Sequence, residues 1–390
     1  MTSPVAAAYS CLPADRRATS PQSLTQKRLG MTADSLDPER LRAKQSLLAQ
    51  VSFGAYTAPM IALGVRLGLY GALADAGSVT SRELAERTGL HERWLREWLR
   101  GQAAAGLIEY EGKGRFRLSP EAAYLLADEE SPAFAGGRML SIPVHVATLE
   151  RLPEAFRTGL GFTWDDRGRG AAESTQRARS AWYQRELVAK VLPGVEGLAA
   201  KLSAGAEVAD VGCGSGLALI EIARAFPRSR LHGYEVSAAA LELAAANLGA
   251  AGVENVTFHQ LNDEPLPAEP RFDLALTFDC LHDMTDPAST GAAIRRALRP
   301  DGVWLIMEIE CAPSFEENLA RGAERAATSY AISVLSCLAS SMAAPGAVGY
   351  GTLGLPEPAL RDIVTSAGFR RFRRLALPVP LFNTLYEARP

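Results

Sequence analysis

Residues 207–216 read Glu207-Val208-Ala209-Asp210-Val211-Gly212-Cys213-Gly214-Ser215-Gly216, and the rest of the chain is organised around them. The run Val208–Val211 has the length and composition of a buried parallel strand. Three glycines at alternate positions then break the chain, and Leu217 to Phe226 resumes with a helical apolar period. Strand, glycine turn and helix together bring backbone amides and a helix N-terminus up against a ligand. Glycine is needed where a Cβ would block that approach or where φ must be positive.

Downstream the alternation of strand and helix continues. Leu231–Val236 reads as a second strand ending in Glu235, about 20 residues past the loop, where a carboxylate can accept both hydroxyls of a ribose. Ser237 caps the next helix, which runs through Ala250, and Asn255–Gln260 is the third strand. Arg271–Phe278, the fourth, delivers Asp279-Cys-Leu-His-Asp-Met-Thr-Asp286 beside the reversal of strand order where doubly wound sheets place their chemistry. Gly302–Glu308 is the fifth strand. A helical region from Ser314 to about Met342 follows, with Tyr330 and Leu335 expected to face the site. The helix Glu357–Ala367 and two closing strands, 370–376 and 381–387, end the pattern. Asp283 and Asp286 read as the N-terminal acids of the helix after the fourth strand.

Upstream, residues 1–37 are rich in Ser, Thr, Pro and Arg without a sustained period, and read as a disordered extension; a transit peptide or a start at Met31 are the alternatives. Residues 38–130 form a winged-helix and dimerisation domain. Leu41 to Leu73 carries two helices, the second from about Ala58 with Pro59 near its start. Ser78–Leu90, with Thr80 or Ser81 as cap and Gly89 as stop, then His91–Ala105, then a hairpin over 107–118, make helix, turn, helix, wing. Residues 131–202 are a helical connector and pocket cover. In it Phe162 and Trp164 lie beside glycines, over an apolar pocket or packed between domains, and Gln184–Leu202 is a helix over the ligand of the glycine loop. Residues 203–390 are the α/β domain that carries this loop.

A winged helix suggests DNA. Yet Glu92 and Glu97 interleave with Arg93, Arg96 and Arg100, and Glu109 and Glu111 balance Lys113, Arg115 and Arg117, which makes a poor phosphate footprint. The formal net charge of −3 over 390 residues also gives no reason to expect nucleic acid. Five cysteines without a Cys-x-x-Cys spacing argue against disulfides or a zinc site and fit a cytoplasmic protein. No uninterrupted apolar run reaches the length of a membrane span, so no membrane partner is expected.

The pattern Asp210-x-Gly-x-Gly-x-Gly216 resembles motif I of the class I S-adenosylmethionine (SAM) methyltransferases. Dinucleotide binders use Gly-x-Gly-x-x-Gly; here the third glycine comes one residue early and Leu217 fills the later place. The resemblance implies an α/β fold, a Rossmann-like seven-stranded sheet with a closing antiparallel hairpin, preceded by the helical winged-helix domain. It implies SAM held by Asp210, Gly212, Gly214, Gly216, Glu235, Val236, Asp263 and Asp279. Asp263 would accept the adenine amino group, or is a plain turn residue.

Leu281-His-Asp-Met-Thr-Asp286 resembles the Leu-His-Asp-Trp-Ser-Asp-like segment of caffeate and hydroxyindole type O-methyltransferases. That makes His282 the general base, with Glu308 as the acid that orients it. Met284 replaces the tryptophan, and the second orienting acid has no match near Gly351 and Gly354. A group of bacterial winged-helix methyltransferases, with a mycobacterial member, is similar also at Leu67–Tyr70, Glu97–Arg100, Asp279–Met284 and Tyr386–Arg389. The resemblance implies methylation, most simply at a hydroxyl; the pocket candidates Phe162, Trp164, Tyr183, Met284 and Tyr330 suggest a small aromatic or polyketide-like acceptor, no metal is expected, and the apolar Leu48–Leu73 stretch suggests a homodimer. A SAM-binding regulator that uses the winged helix on DNA is the alternative, and a nicotinamide oxidoreductase a third.

Overall fold

The computed structural model describes residues 36–390; the expected disordered extension lies almost wholly outside them. The chain divides into two compact units, up to Ala55 and from Tyr56 onward. The described part of the first is helical from Pro38, within a helix that spans Pro38–Arg66. The expected break before Pro59 does not occur. The helix stops instead at Gly68, whose φ of 67° suits glycine, where the Gly68 amide bonds back to the Val65 carbonyl. By length and composition this helix is apolar enough to cross a membrane, at a mean hydropathy of 1.3 over its best window. Gln50, Ser52 and Thr57 punctuate it, which is why it does not read as an uninterrupted apolar run.

The second unit opens with the winged helix. The helix Leu69–Ala74 leads to a short strand β1 (Val79–Thr80). The helix Ser81–Thr88 starts in a capping box: the Thr80 hydroxyl accepts from the Glu83 amide, and the Glu83 carboxylate accepts from the Thr80 amide. Glu92–Ala104 follows, burying Leu95, Trp98 and Leu99 along one stripe. The wing is β2 (Glu109–Gly112) against β3 (Arg115–Arg117), and β3 lies between β1 and β2. Trp98 fixes this core, edge-on to Tyr70 at 5.3 Å, with its indole N–H donating to the Met60 carbonyl at 2.9 Å.

The second sheet has seven strands: β4 (Glu207–Val211), β5 (Arg230–Glu235), β6 (Val256–Gln260), β7 (Phe272–Phe278), β8 (Leu298–Ile309), β9 (Arg371–Leu375) and β10 (Asn383–Arg389). Their order is β6-β5-β4-β7-β8-β10-β9. β4 to β8 pair in parallel, and β10 runs antiparallel to both β8 and β9. β4 is buried at all five positions and β7 at all seven, as strands covered on both faces must be. The fifth parallel strand starts at Leu298, four residues earlier than its apolar run suggests, with a register shift against β7 between the Phe272–Leu298 and Leu274–Val303 pairs.

The connector differs from the single helix expected over 184–202. Tyr183–Val191 is wound as a π-helix, Leu192–Gly194 adds one more turn, and Pro193, Gly194 and Gly197 (φ 75°) then break the path. The helix restarts at Leu198. Leu187, Val191, Leu192, Leu198 and Leu202 pack onto the sheet with Val208, Leu274, Leu276 and Leu305. The segment is a layer of the core.

Candidate active site

The glycine loop turns directly out of β4. Gly212, Gly214 and Gly216 have φ of 78°, 54° and 73°. A Cβ on Gly212 would lie 2.9 Å from the Cys280 side chain, and one on Gly216 would strike the Phe258 ring at 2.4 Å. Gly214 is different: a Cβ there would meet nothing within 4 Å, so this turn of backbone borders open space.

Glu235, at the end of β5, is buried and holds the loop in place. Its Oε2 accepts from the Gly214 amide at 2.9 Å, and its Oε1 from the Val236 and Ser237 amides at 2.8 and 2.9 Å. Oε1 takes two donors and Oε2 one, which leaves a lone pair on Oε2. Asp210 lies under the loop; burial, aided by the Glu235 charge, pushes its carboxyl up to about 8. Val236 is exposed and its carbonyl accepts from Gln260 at 2.7 Å, whereas Asp263 is an exposed residue just past β6.

β7 is followed at once by Asp279, a non-glycine residue at φ 55°. Its carboxylate is bonded to Asn383 and paired with Arg179, so it is tied to β10 and to the helix Arg169–Trp182. The unusual φ turns the chain sharply into the 3-10 turn Leu281–Asp283. That turn carries His282, which is 3% exposed. Its Nδ1 is 2.5 Å from Glu308 Oε2 on the adjacent strand β8, and Glu308 Oε1 accepts from the Leu281 amide at 2.8 Å. The expected histidine and glutamate are thus brought together, 26 residues apart in sequence. Burial would pull the imidazole down, but the Glu308 and Asp283 carboxylates outweigh it and hold His282 well above its ordinary range. With Nδ1 committed to Glu308, Nε2 is the nitrogen that gains or loses the proton, and the same two carboxylates that strengthen the ring as a base also favour its protonated form.

Asp286 does cap the next helix, accepting from the Ser289 amide at 2.9 Å. Asp283 does not. It is buried, with Oδ1 3.6 Å from His282 Nε2, which is a placement that helix-capping logic misses. Cys337, on the π-helix Ser333–Cys337, approaches the same two residues.

The expected pocket residues divide. Met284 packs against the core beside the glycine loop, and Tyr183 stacks on Phe278 at the end of β7. Phe162 is buried with Leu152 and Ala339, in contact with Val334 and Leu335. Trp164 lies under the Arg167 guanidinium at 3.7 Å. Tyr330 is exposed with its ring against Phe315, and no contact among the described residues supports its facing the site. Two polar residues of the connector went unread in the sequence. Asp165 caps the helix Ala238–Ala251 through Ser237, Ala238 and Ala239, and Arg167 bonds Ser336 and Ser340. Only their place beside Phe162 and Trp164 hinted at them.

Residues 202–345 match the model of a methyltransferase domain, and residues 55–128 that of an Rv2258c-like winged HTH domain. The chain carries a methyltransferase domain. It is 30% identical over 196 residues to the mitomycin biosynthesis 6-O-methyltransferase of Streptomyces lavendulae, a match over 48% of this chain and 55% of that one. The match thus spans about half that relative's length. It is 28% identical to the 3-hydroxy-5-methyl-1-naphthoate 3-O-methyltransferase of Streptomyces sahachiroi, over 68% of this chain and 77% of that one. Among solved structures, the mitomycin 7-O-methyltransferase MmcR superposes with a TM-score of 0.63 at 22% identity, over 91% of this chain and 100% of that one. Human N-acetylserotonin methyltransferase in complex with SAM gives 0.62 at 18%, over 92% and 99%. At these identities the structural likeness speaks for the fold: the methyltransferase sheet with its antiparallel β10, behind a winged helix.

Proposed function

We propose that this protein is a SAM-dependent O-methyltransferase acting on a hydroxyl of a small aromatic or polyketide-like molecule. The observation that carries the reading is the buried His282–Glu308 pair at the carboxyl ends of β7 and β8, with Nε2 left to accept a proton. It stands next to a loop whose glycines bring backbone to the edge of open space at Gly214.

The residues present fit the cofactor. Gly214 leaves room where its amino-acid portion would pass, and Glu235 keeps one lone pair on Oε2 for a ribose hydroxyl. Asp210, Gly212, Gly216, Val236, Asp263 and Asp279 complete the proposed site. When bound, SAM supplies a methyl on a sulfonium that is attacked in line, so the protein's work is alignment and proton removal. In its neutral form His282 takes the acceptor's hydroxyl proton at Nε2, so the ring must first shed the proton that the Glu308 and Asp283 carboxylates favour. Glu308 fixes the tautomer by holding Nδ1–H, and stabilises the imidazolium that results. Phe162, Trp164, Tyr183 and Met284 are the proposed apolar walls. The relatives' names, which speak of O-methylation in mitomycin and naphthoate chemistry, support this acceptor class and a role in secondary metabolism.

The partner is a second copy of this chain, and the cytoplasm is the compartment. The helix Pro38–Arg66 leaves Leu48 67%, Val51 60% and Tyr56 79% exposed, a run of apolar surface that dimerisation would cover. The DNA-reading alternative gains little from the winged helix. Arg93 pairs with Glu97 at 2.7 Å, Arg96 with Glu92 at 2.6 Å, and Arg117 with Glu109 and Glu111 at 2.6 and 2.9 Å. Calorimetry with SAM, S-adenosylhomocysteine and NAD tests the assignment. Binding of the first two without the third is expected; NAD binding without SAM would overturn it.

A further inference from the structure

His282, Asp283 and Cys337 form the one buried cluster of metal-ligating side chains found among the described residues, their ligand atoms all within 4.8 Å of one another. We propose that this cluster is a binding site for a zinc-class divalent cation, which regulates the proposed methyl transfer by occupying the nitrogen that would serve as base.

Four features of the site converge. Tetrahedral zinc with bonds of about 2.0–2.2 Å to nitrogen and oxygen sets those two ligands about 3.4 Å apart. His282 Nε2 and Asp283 Oδ1 stand 3.6 Å apart. Asp283 Oδ1 is buried without a hydrogen-bond partner among the described residues; the His282 ring 3.6 Å away offers it charge but no hydrogen bond. Glu308 holds Nδ1 of the same ring, the arrangement in which an outer carboxylate orients a metal-bound histidine and strengthens it as a ligand. Finally, Cys337 ends a π-helical segment, a distortion found frequently at functional sites.

The donor set of one imidazole, one thiol and one carboxylate selects a borderline-soft ion such as zinc over magnesium or calcium. Three protein ligands leave a fourth position open, as in zinc sites that exchange a ligand. Arg167 lies within electrostatic reach of Asp283 and Cys337 and opposes a cation, while the Glu308 carboxylate behind the ring offsets it. The sequence concealed the site because its ligands come from two distant segments, without the close cysteine spacing that marks zinc sites.

The optical arm of the test does not depend on the proposed methyl transfer; only its activity arm rests on that reading. Full-length protein stripped with chelator is titrated with Co²⁺ as an optical probe. One equivalent should develop a thiolate-to-cobalt absorption band in the near ultraviolet, which Zn²⁺ displaces. Cys337→Ser should lose the band. Asp283→Asn, checked for fold by circular dichroism, should weaken binding, and Glu308→Gln should weaken it about 10–100-fold. Methyl transfer should fall as Zn²⁺ fills the site. Absence of the band in the unaltered protein, or an equal band in Cys337→Ser, overturns the proposal. A band that behaves as expected while His282→Ala keeps full turnover supports the metal site but overturns the base assignment and, with it, the regulation by metal.

Discussion

The outer face of the winged helix and the carboxyl end of the large sheet are both rich in charge, but they hold it in opposite ways. Arg93 and Glu97 pair one helical turn apart with their side chains 57% and 56% exposed. Water screens both partners, and such pairs contribute little to stability or to any field beyond themselves. The side chains of His282 and Glu308 are 4% and 3% exposed, and come from the turn after β7 and from β8. Removing those groups from water is costly, so the arrangement persists only where hydrogen bonds and packing over-determine it. Charge that is conspicuous in sequence is inert here, and charge that folding conceals is where the chemistry is expected.

The largest effect that can break this contrast is at the histidine. His282→Ala should lower turnover on a weakly acidic hydroxyl by about 10²–10⁴-fold while leaving SAM affinity nearly unchanged. The loss should shrink at high pH, where the acceptor ionises by itself. Glu308→Gln should cost less, and the double variant little more than His282→Ala alone. Full activity of His282→Ala would remove the buried pair from the mechanism.

On the exposed side, the apolar helix should matter where the charged one does not. Leu48→Asp with Val51→Asp should halve the mass seen by light scattering at micromolar protein, if these residues line a dimer contact. A monomeric parent would defeat that reading.

Asp210 gives a smaller, pH-dependent test of burial. Its folded-state value of about 8 is raised from an ordinary 3.8, so the folded state holds the proton more tightly than the unfolded chain. Its stabilising contribution is complete below about pH 4 and is lost as pH rises towards and through 8. Thermal melts without cofactor should show that decline, and Asp210→Asn should flatten it. A parallel slope in the variant would assign the decline to other groups.

The smallest effect is expected on the outer face of the winged helix. Arg93→Ala with Arg96→Ala should leave turnover unchanged. Neither this variant nor the parent should bind duplex DNA with a steep salt dependence between 50 and 200 mM, as fluorescence anisotropy would show. Steep binding lost in the variant would revive the regulator reading.

Much of this molecule was legible along the chain. The strand, glycine turn and helix at 207–226, the alternation after it, and the winged helix all follow from local rules: apolar period, caps such as Thr80 with Glu83, and glycines at positive φ. Such features depend on near neighbours in sequence, so a window of a few residues carries the information. The resemblance around His282 singled out Glu308 as its partner, and strand pairing placed the two side by side. Other decisions were tertiary. Pro59 stays inside its helix, and Gly68 ends it. The 183–205 segment bends at Pro193–Gly197 to pack its leucines on the sheet. Both Glu235 oxygens accept backbone amides, from the glycine loop and from the turn after β5. Asp283 leaves helix capping to Asp286 and faces His282 Nε2, where Cys337 meets it from a distant segment. The physical reason is the same in each case. A buried polar group takes whichever partner the packed chain brings within hydrogen-bond distance, and sequence separation has no bearing on that distance.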